Sequence, residues 1–233
     1  MWNNCQLLIL CSPSNPTGYS LNKEEYKQAL QLAERYNFIV CSDECYVDIY
    51  PTSQKAPVGL LQVVDSLEDS SNFMVFHSLS KRSNLAGLRS GFACGPKKIL
   101  DNYHLFRTYH GVALPLPTQH ASSWAWSDDL HVLKNRENYD KKFNIALNEL
   151  APIQKMKRPD GAFYLWIKTP EDDQLFTKKL FEKYGVIVLP GSFLGAKKSG
   201  KNPGKNFVRI AIVHENETVK KALHLISLHL SSY

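Results

Sequence analysis

Three short apolar runs, each closing on a polar or turn-forming group, set the tightest limit on how this chain folds. Leu7 to Leu10 runs into Ser-Pro-Ser-Asn-Pro-Thr-Gly, Phe38 to Cys41 into Asp43, and Phe73 to Phe76 into Ser-Leu-Ser-Lys. Runs of this length without alternation read as strands buried on both faces rather than as helices. Between the first two lies Asn22 to Tyr36, where Leu21, Tyr26, Leu30 and Ala33 fall on or near one helical face. That alternation of strand and helix predicts a parallel α/β sheet. Ser90 to Cys94, closed by Gly95-Pro96, reads as a fourth strand.

From Thr118 to Leu150 the pattern is mostly helical, as one or two long helices with Trp124, Trp126, Leu133, Tyr139 and Phe143 among charges. After Pro152 the style changes. A strand is expected around Phe163 to Ile167, a helix over Asp172 to Tyr184, strands over Val186 to Leu189 and Phe207 to Ile212, and a last helix from Glu217. The expected organisation is a mostly parallel α/β domain over 1–145, including an interdomain helix, and a smaller α+β domain over 146–233.

Composition narrows the function classes. With 233 residues, 43% of them hydrophobic, the chain can bury one substantial core or two modest ones. The five cysteines are odd in number, and Cys41 and Cys45 lack a second Cys or His pair at zinc spacing. Reduced thiols and no metal are expected. The net charge of +6 raises the question of nucleic acid. However, the densest basic stretch, Lys197, Lys198, Lys201 and Lys205, is mixed with Gly, Asn and Pro and carries no nucleic-acid motif, so it reads as a solvated loop. Acidic small molecules suit the positive balance. No apolar stretch approaches the ~20 residues that span a bilayer, and Met1 to Gln6 lacks the features of a secretory signal. A cytoplasmic protein is the expectation.

Open parallel sheets bind ligands beyond the carboxyl ends of their strands, where loops converge. Three successive strands here deliver Asn15, then Asp43 with Tyr46, then Ser78, Ser80 and Lys81. Each piece alone has an ordinary structural reading: an Asn-Pro turn, a capping aspartate, a packed tyrosine, a lysine opening a helix. Their convergence at one end of a sheet points to a shared site.

Taken in order, SNPTG, SDECY, SLSK followed by Arg89, and Arg209 in FVRIAI resemble the fold type I, class I/II aminotransferases, over essentially the whole chain. The resemblance implies the large-domain fold of the pyridoxal-phosphate-dependent transferases, here in partial form, and pyridoxal 5'-phosphate as cofactor. It implies that Lys81 condenses with the cofactor aldehyde and then carries a proton at the substrate α-carbon. Asp43 would pair with the pyridine nitrogen, Asn15 and Tyr46 with the ring's phenolic oxygen, and Ser78, Ser80 and Arg89 with the phosphate. Arg209, with Asn15, would bind a substrate α-carboxylate. Arg82 receives no role.

The stretches SDECYVDIY, VFHSLSKRSNLAGLRSGF, RTYHGVALPLPTQ, PDGAFYLW and NPGKNFVRIAIV are similar to the N-succinyldiaminopimelate aminotransferases of lysine biosynthesis. Those enzymes exchange an amine between an acylated diaminopimelate and 2-oxoglutarate. Family members are usually longer, and the segment that precedes the first cofactor-binding strand in them has no counterpart in this sequence. Two expectations follow. The chain self-associates as a homodimer or larger, or it is part of a longer polypeptide, because strands made for a sheet interior would otherwise show open edges. The readings that compete with a catalytic transaminase are a non-catalytic assembly module and a C–S lyase using the same lysine and aspartate.

Overall fold

The computed structural model describes residues 2–64, 72–111 and 113–233. Its chain gathers into two compact units, Met1–Ser14 with Tyr19–Arg136, and Asn15–Gly18 with Glu137–Tyr233.

The first unit is built on a four-stranded sheet in the order β1 (Leu7–Cys11), β2 (Ile39–Asp43), β3 (Phe73–Ser78), β4 (Gly91–Cys94). β1, β2 and β3 are parallel, with Cys11 opposite Asp43 and Asp43 opposite Phe76. β4 returns antiparallel, pairing Ser78 with Gly91. Hence the sheet is mostly parallel, and the tips of β1, β2 and β3 lie side by side. Gly91 is required at this pairing, since a Cβ there would sit 2.4 Å from the His77 carbonyl oxygen.

Helix α1 (Lys23–Tyr36) forms between β1 and β2 as its pattern predicts. The Asn22 side chain takes the Glu24 and Glu25 N–H groups, and Glu25 reaches back to the Asn22 N–H. Such a cap is worth about 1 kcal/mol. At the other end Asn37 adopts φ 54°, a left-handed stop that asparagine tolerates. The inner face of α1, Tyr26, Ala29 and Ala33, packs on Phe38, Val40, Leu60, Phe73 and Val75 to make the core.

Three further helices lie wholly within this unit: the short α2 (Leu79–Arg82), α3 (Lys97–His110) and α4 (Leu116–Ser127). α3 is not foreseen by the sequence pattern, and it buries no residue; Leu105, Phe106 and Tyr109 are exposed on it. The long helical stretch resolves into two helices, α4 and α5 (Leu130–Leu150). The break falls where the Asp128 carboxylate takes the Leu130 N–H at 2.8 Å and starts the second helix.

The second unit holds an antiparallel sheet in the order β5 (Tyr164–Lys168), β7 (Phe207–Ala211), β6 (Leu189–Pro190). α6 (Asp173–Tyr184) is capped by Asp172 and ends at Gly185, φ 68°. α7 (Asn216–Leu230) buries Val219, Leu223 and Ile226. The strand expected over Val186 to Leu189 is pared down to Leu189–Pro190, because only Leu189 and Pro190 find partners, Arg209 and Val208. Asp173 is fully buried and knits the unit, accepting the Ser192 N–H at 2.8 Å and the Asn206 N–H at 3.0 Å. Among the described residues no helix is long and apolar enough to cross a membrane.

Candidate active site

Asp43 is the last residue of β2, and its carboxylate turns back to accept the Cys45 N–H at 3.1 Å. The following backbone is fixed as well. Glu44 N–H donates to the Phe76 carbonyl at 2.9 Å, Val47 N–H to Glu44 at 3.0 Å, and Ile49 N–H to Tyr46 at 2.9 Å. This run of turns buries the Tyr46 ring and presents it to Lys81, whose ammonium nitrogen lies 5.8 Å from the ring centre. An ammonium at that range is attracted by the ring's negative face.

The Cys45 thiol reports the same neighbourhood. Burial pushes it up, its hydrogen bond to the Asp43 carboxylate and repulsion from Asp43 add to this, and Lys81 opposes; the result is about 12. A thiol held there is not a thiolate near neutral pH, so Cys45 is no nucleophile. Asp43, Cys45 and Lys81 therefore share one electrostatic environment.

Glu44, the other half of the acidic pair, points elsewhere. It is buried, takes the Ser42 hydroxyl at 2.9 Å and the Leu60 N–H at 2.7 Å, and lies 3.4 Å from His77 Nε2. It anchors the loop behind the sheet and leaves Asp43 to face the site.

Ser78 caps α2: its Oγ takes the Ser80 N–H at 3.0 Å and lies 2.8 Å from the Ser80 hydroxyl. The Ser90 carbonyl accepts the Leu79 N–H at 3.1 Å and sits 3.2 Å from Ser78 Oγ, which brings Arg89 to the same tip. Arg89 is in the left-handed region, φ 53°, and donates from Nη1 to the Ala86 carbonyl at 2.9 Å. Among the described residues no carboxylate pairs with its guanidinium. Two hydroxyls and an arginine without a carboxylate form a donor set suited to a dianion. One turn along the same short helix stands the Lys81 amine.

The second unit carries its own polar pair. Arg209, on β7 between Trp166 and Leu189, donates from Nη1 to Asn15 Oδ1 at 2.8 Å. Its guanidinium lies 4.6 Å from the Tyr164 ring centre, and its Nε is buried without a protein acceptor. A buried donor left open costs free energy unless a ligand satisfies it. Gly18, which ends the Asn15–Gly18 segment, has φ 70°, and a Cβ there would meet Pro159 at 2.4 Å. A cavity of about 580 Å³ beside β7 and α7 is lined mostly by apolar side chains and holds none of the lysine, aspartate or serine groups described above.

The structure thus brings Asp43, Tyr46, Lys81, Ser78, Ser80 and Arg89 to one end of the first unit's sheet, and joins Asn15 to Arg209 in the second. The sequence pattern did not single out Tyr164 under the arginine or Glu44 behind the aspartate. The Asp-Glu doublet was a signal for Glu44; nothing local marks Tyr164.

An amine, a carboxylate and a cluster of hydroxyl and guanidinium donors at adjacent strand ends of such a sheet match one class, that of the pyridoxal-phosphate-dependent transferases. The match is to the family described as aminotransferase class I and II, over residues 3–226, and the chain belongs to it. Enzymes of that family depend on pyridoxal phosphate. An LL-diaminopimelate aminotransferase of Maridesulfovibrio salexigens is 26% identical over 97% of this chain. This chain spans 57% of that relative's length. An aminotransferase from Neisseria meningitidis superposes with a TM-score of 0.91 at 42% identity, over 98% of this chain and 58% of the other. A probable N-succinyldiaminopimelate aminotransferase from Thermus thermophilus gives 0.84 at 27% identity, over 98% and 60%.

Proposed function

We propose that this chain carries the cofactor-holding machinery of a pyridoxal-phosphate aminotransferase that moves an amine between N-succinyl-LL-diaminopimelate and 2-oxoglutarate. The observation that carries the reading is the placement of the Lys81 amine, the Asp43 carboxylate and the Tyr46 ring around one strand end. The donor set of the first unit fits the cofactor: hydroxyls of Ser78 and Ser80 and the Arg89 guanidinium for its phosphate, Asp43 for its ring nitrogen, and Tyr46 for its phenolic oxygen. When bound, the cofactor supplies an electron sink for charge at the substrate α-carbon.

The chain's own residues do the rest. Lys81 Nζ is the amine that would hold the cofactor, and it would serve as the base for the proton on the substrate α-carbon. Asp43, kept in place by the Cys45 N–H, is the carboxylate that would pair with the ring nitrogen. Arg209, oriented by Asn15 and Tyr164, offers its remaining donors to an α-carboxylate, and its unsatisfied Nε supports that role. The choice of an acylated diaminopimelate rests on the similarity of the SKRSNL and NPG stretches, and it agrees with a net charge of +6 and an acidic substrate.

The test is amine exchange by the purified chain with pyridoxal phosphate, 2-oxoglutarate and N-succinyl-LL-diaminopimelate, run beside unacylated LL-diaminopimelate with the same 2-oxoglutarate. Exchange with the acylated substrate at least tenfold faster supports the assignment; release of pyruvate, ammonia and sulfide from cysteine, without exchange, identifies a lyase.

A second reading is favoured by the surface. Ile9 on the edge strand β1 is 68% exposed and Trp124 on α4 is 78% exposed, together with Leu105, Phe106 and Leu116. Exposed large apolar groups, where they adjoin, suit contact with a partner. On this reading the chain is a non-catalytic assembly module that keeps the fold but not turnover.

A further inference from the structure

Arg82 is the residue directly after Lys81, and it is 8% exposed. A buried guanidinium needs partners on every side, and this one has them on two separate segments, the turn after β2 and the stretch from Ala125 to Asp129. Nε lies 3.4 Å from the Asp48 carboxylate, in the run of turns that starts at Asp43 and holds Tyr46. Nη2 meets the Asp129 carboxylate at 2.5 Å, and Nη1 lies 3.4 Å and 3.5 Å from the Ala125 and Asp128 carbonyls. The plane sits 5.4 Å from the Trp126 ring centre.

The start of α5 grips the same two segments. Asn135 Nδ2 reaches the carbonyls of Lys81 and Arg82 at 3.4 Å and 3.3 Å, His131 bridges Asp128 at 2.9 Å and the Ser83 hydroxyl at 2.8 Å, and Arg136 Nε donates to the Asp48 carbonyl at 3.1 Å. α2 is a single turn of four residues, too short to hold its own conformation. Its shape is supplied from outside.

We propose that Arg82 is a positioning residue: through Asp48 and Asp129 it locks the helix that presents Lys81 to the turn that presents Asp43 and Tyr46, fixing the amine before any ligand arrives. The inference rests on Lys81 being the amine that holds the cofactor. Pre-set geometry of this kind lowers the entropy lost on reaching a reactive arrangement.

The test uses Arg82→Met, Arg82→Lys and Asp48→Asn in the full chain. The Asp48 side chain is 32% exposed, so its variant stays folded where Arg82→Met fails to. Two readouts are taken: hydrogen exchange of peptides spanning 43–49 and 79–84, and the rate at which pyridoxal phosphate with borohydride labels Lys81. Asp48→Asn is expected to raise exchange about tenfold in both segments, with β1 peptides unchanged, and to slow Lys81 labelling about tenfold. Arg82→Lys, which keeps the charge without the fork, is expected to label Lys81 as slowly as Asp48→Asn does. Exchange rising in 79–84 alone, or in neither segment, overturns the tie; raised exchange with unchanged labelling leaves a structural contact and overturns the positioning role. If the unmodified chain is never labelled at Lys81, the aminotransferase reading fails, and coupled exchange in the variants would then show Arg82 to be a purely structural tie.

Discussion

The ammonium nitrogen of Lys81 stands 5.8 Å from the centre of the Tyr46 ring, although the two residues come from different strand ends. That proximity follows from the parallel pairing of β2 with β3, which sets Asp43 beside Phe76 and so brings the turn after one strand against the helix after the other. The chemistry assigned to the chain depends on this neighbourhood.

Cys45 gives a probe of it that needs no ligand. With its thiol pushed up to about 12, by burial first and then by Asp43, Cys45 should resist alkylation at pH 8. Asp43→Asn removes the charge that helps hold the proton on sulfur. Iodoacetamide labelling followed by peptide mass spectrometry should then show Cys45 reacting at least several times faster than in the unmodified chain.

On the proposed function, the same substitution removes the carboxylate that would pair with the cofactor's ring nitrogen. Amine exchange is expected to fall on the order of 100-fold or more, with cofactor still captured on lysine. Steady-state rates and the visible absorbance of the loaded chain separate the two effects.

Arg209→Lys keeps a positive charge on β7 but loses the planar fork held by Asn15. The Michaelis constant for an α-carboxylate substrate should rise roughly 10- to 100-fold, the worth of one charge-assisted hydrogen bond or more. An unchanged value would remove Arg209 from the substrate site.

Asp173 makes the stability of the second unit depend on acid. Burial alone would raise its carboxyl, but the Ser192 hydroxyl and N–H and the Asn206 N–H together bring it below the ordinary carboxylate range. A folded value below the unfolded one stabilises above the usual pKa of about 4, and that stability is lost as pH falls through the folded value. Asp173→Asn should cost roughly 2 kcal/mol at pH 7 and progressively less below pH 4, read from denaturant melts across that range.

Gly91→Ala tests the return strand. The new methyl would meet the His77 carbonyl at 2.4 Å, so β3 and β4 must part, at a cost of about 3 kcal/mol. A thermal melt unchanged from the original would contradict the pairing.

Much of the fold was legible because local pattern and tertiary role coincide. β2 and β3 are apolar runs that became sheet interior, whereas β1, equally apolar, lies at the sheet edge with Leu7 and Ile9 exposed, and α1 shows one apolar stripe with a capping box at its start. α3 was not legible because Leu105, Phe106 and Tyr109 face outward and no residue in it is buried, so there is no inner stripe to detect. Nor does an apolar run reveal its direction: Gly91–Cys94 could be read as a strand, but its antiparallel return is set by the turn at Ala86–Arg89. In the candidate site, Lys81 and Asp43 were visible because strand ends in a parallel sheet are where ligands bind. Arg82 was not, since its carboxylate partner Asp129 lies 47 residues away and no periodicity links them.

The most direct measurement is peptide mapping after pyridoxal phosphate and borohydride have been added to the chain. The account requires one modified peptide, containing Lys81, lost in Lys81→Ala and weakened when Ser78 and Ser80 are both replaced by alanine. Label spread over surface lysines such as Lys197, Lys198 and Lys201, with Lys81 no more reactive than they are, would contradict it.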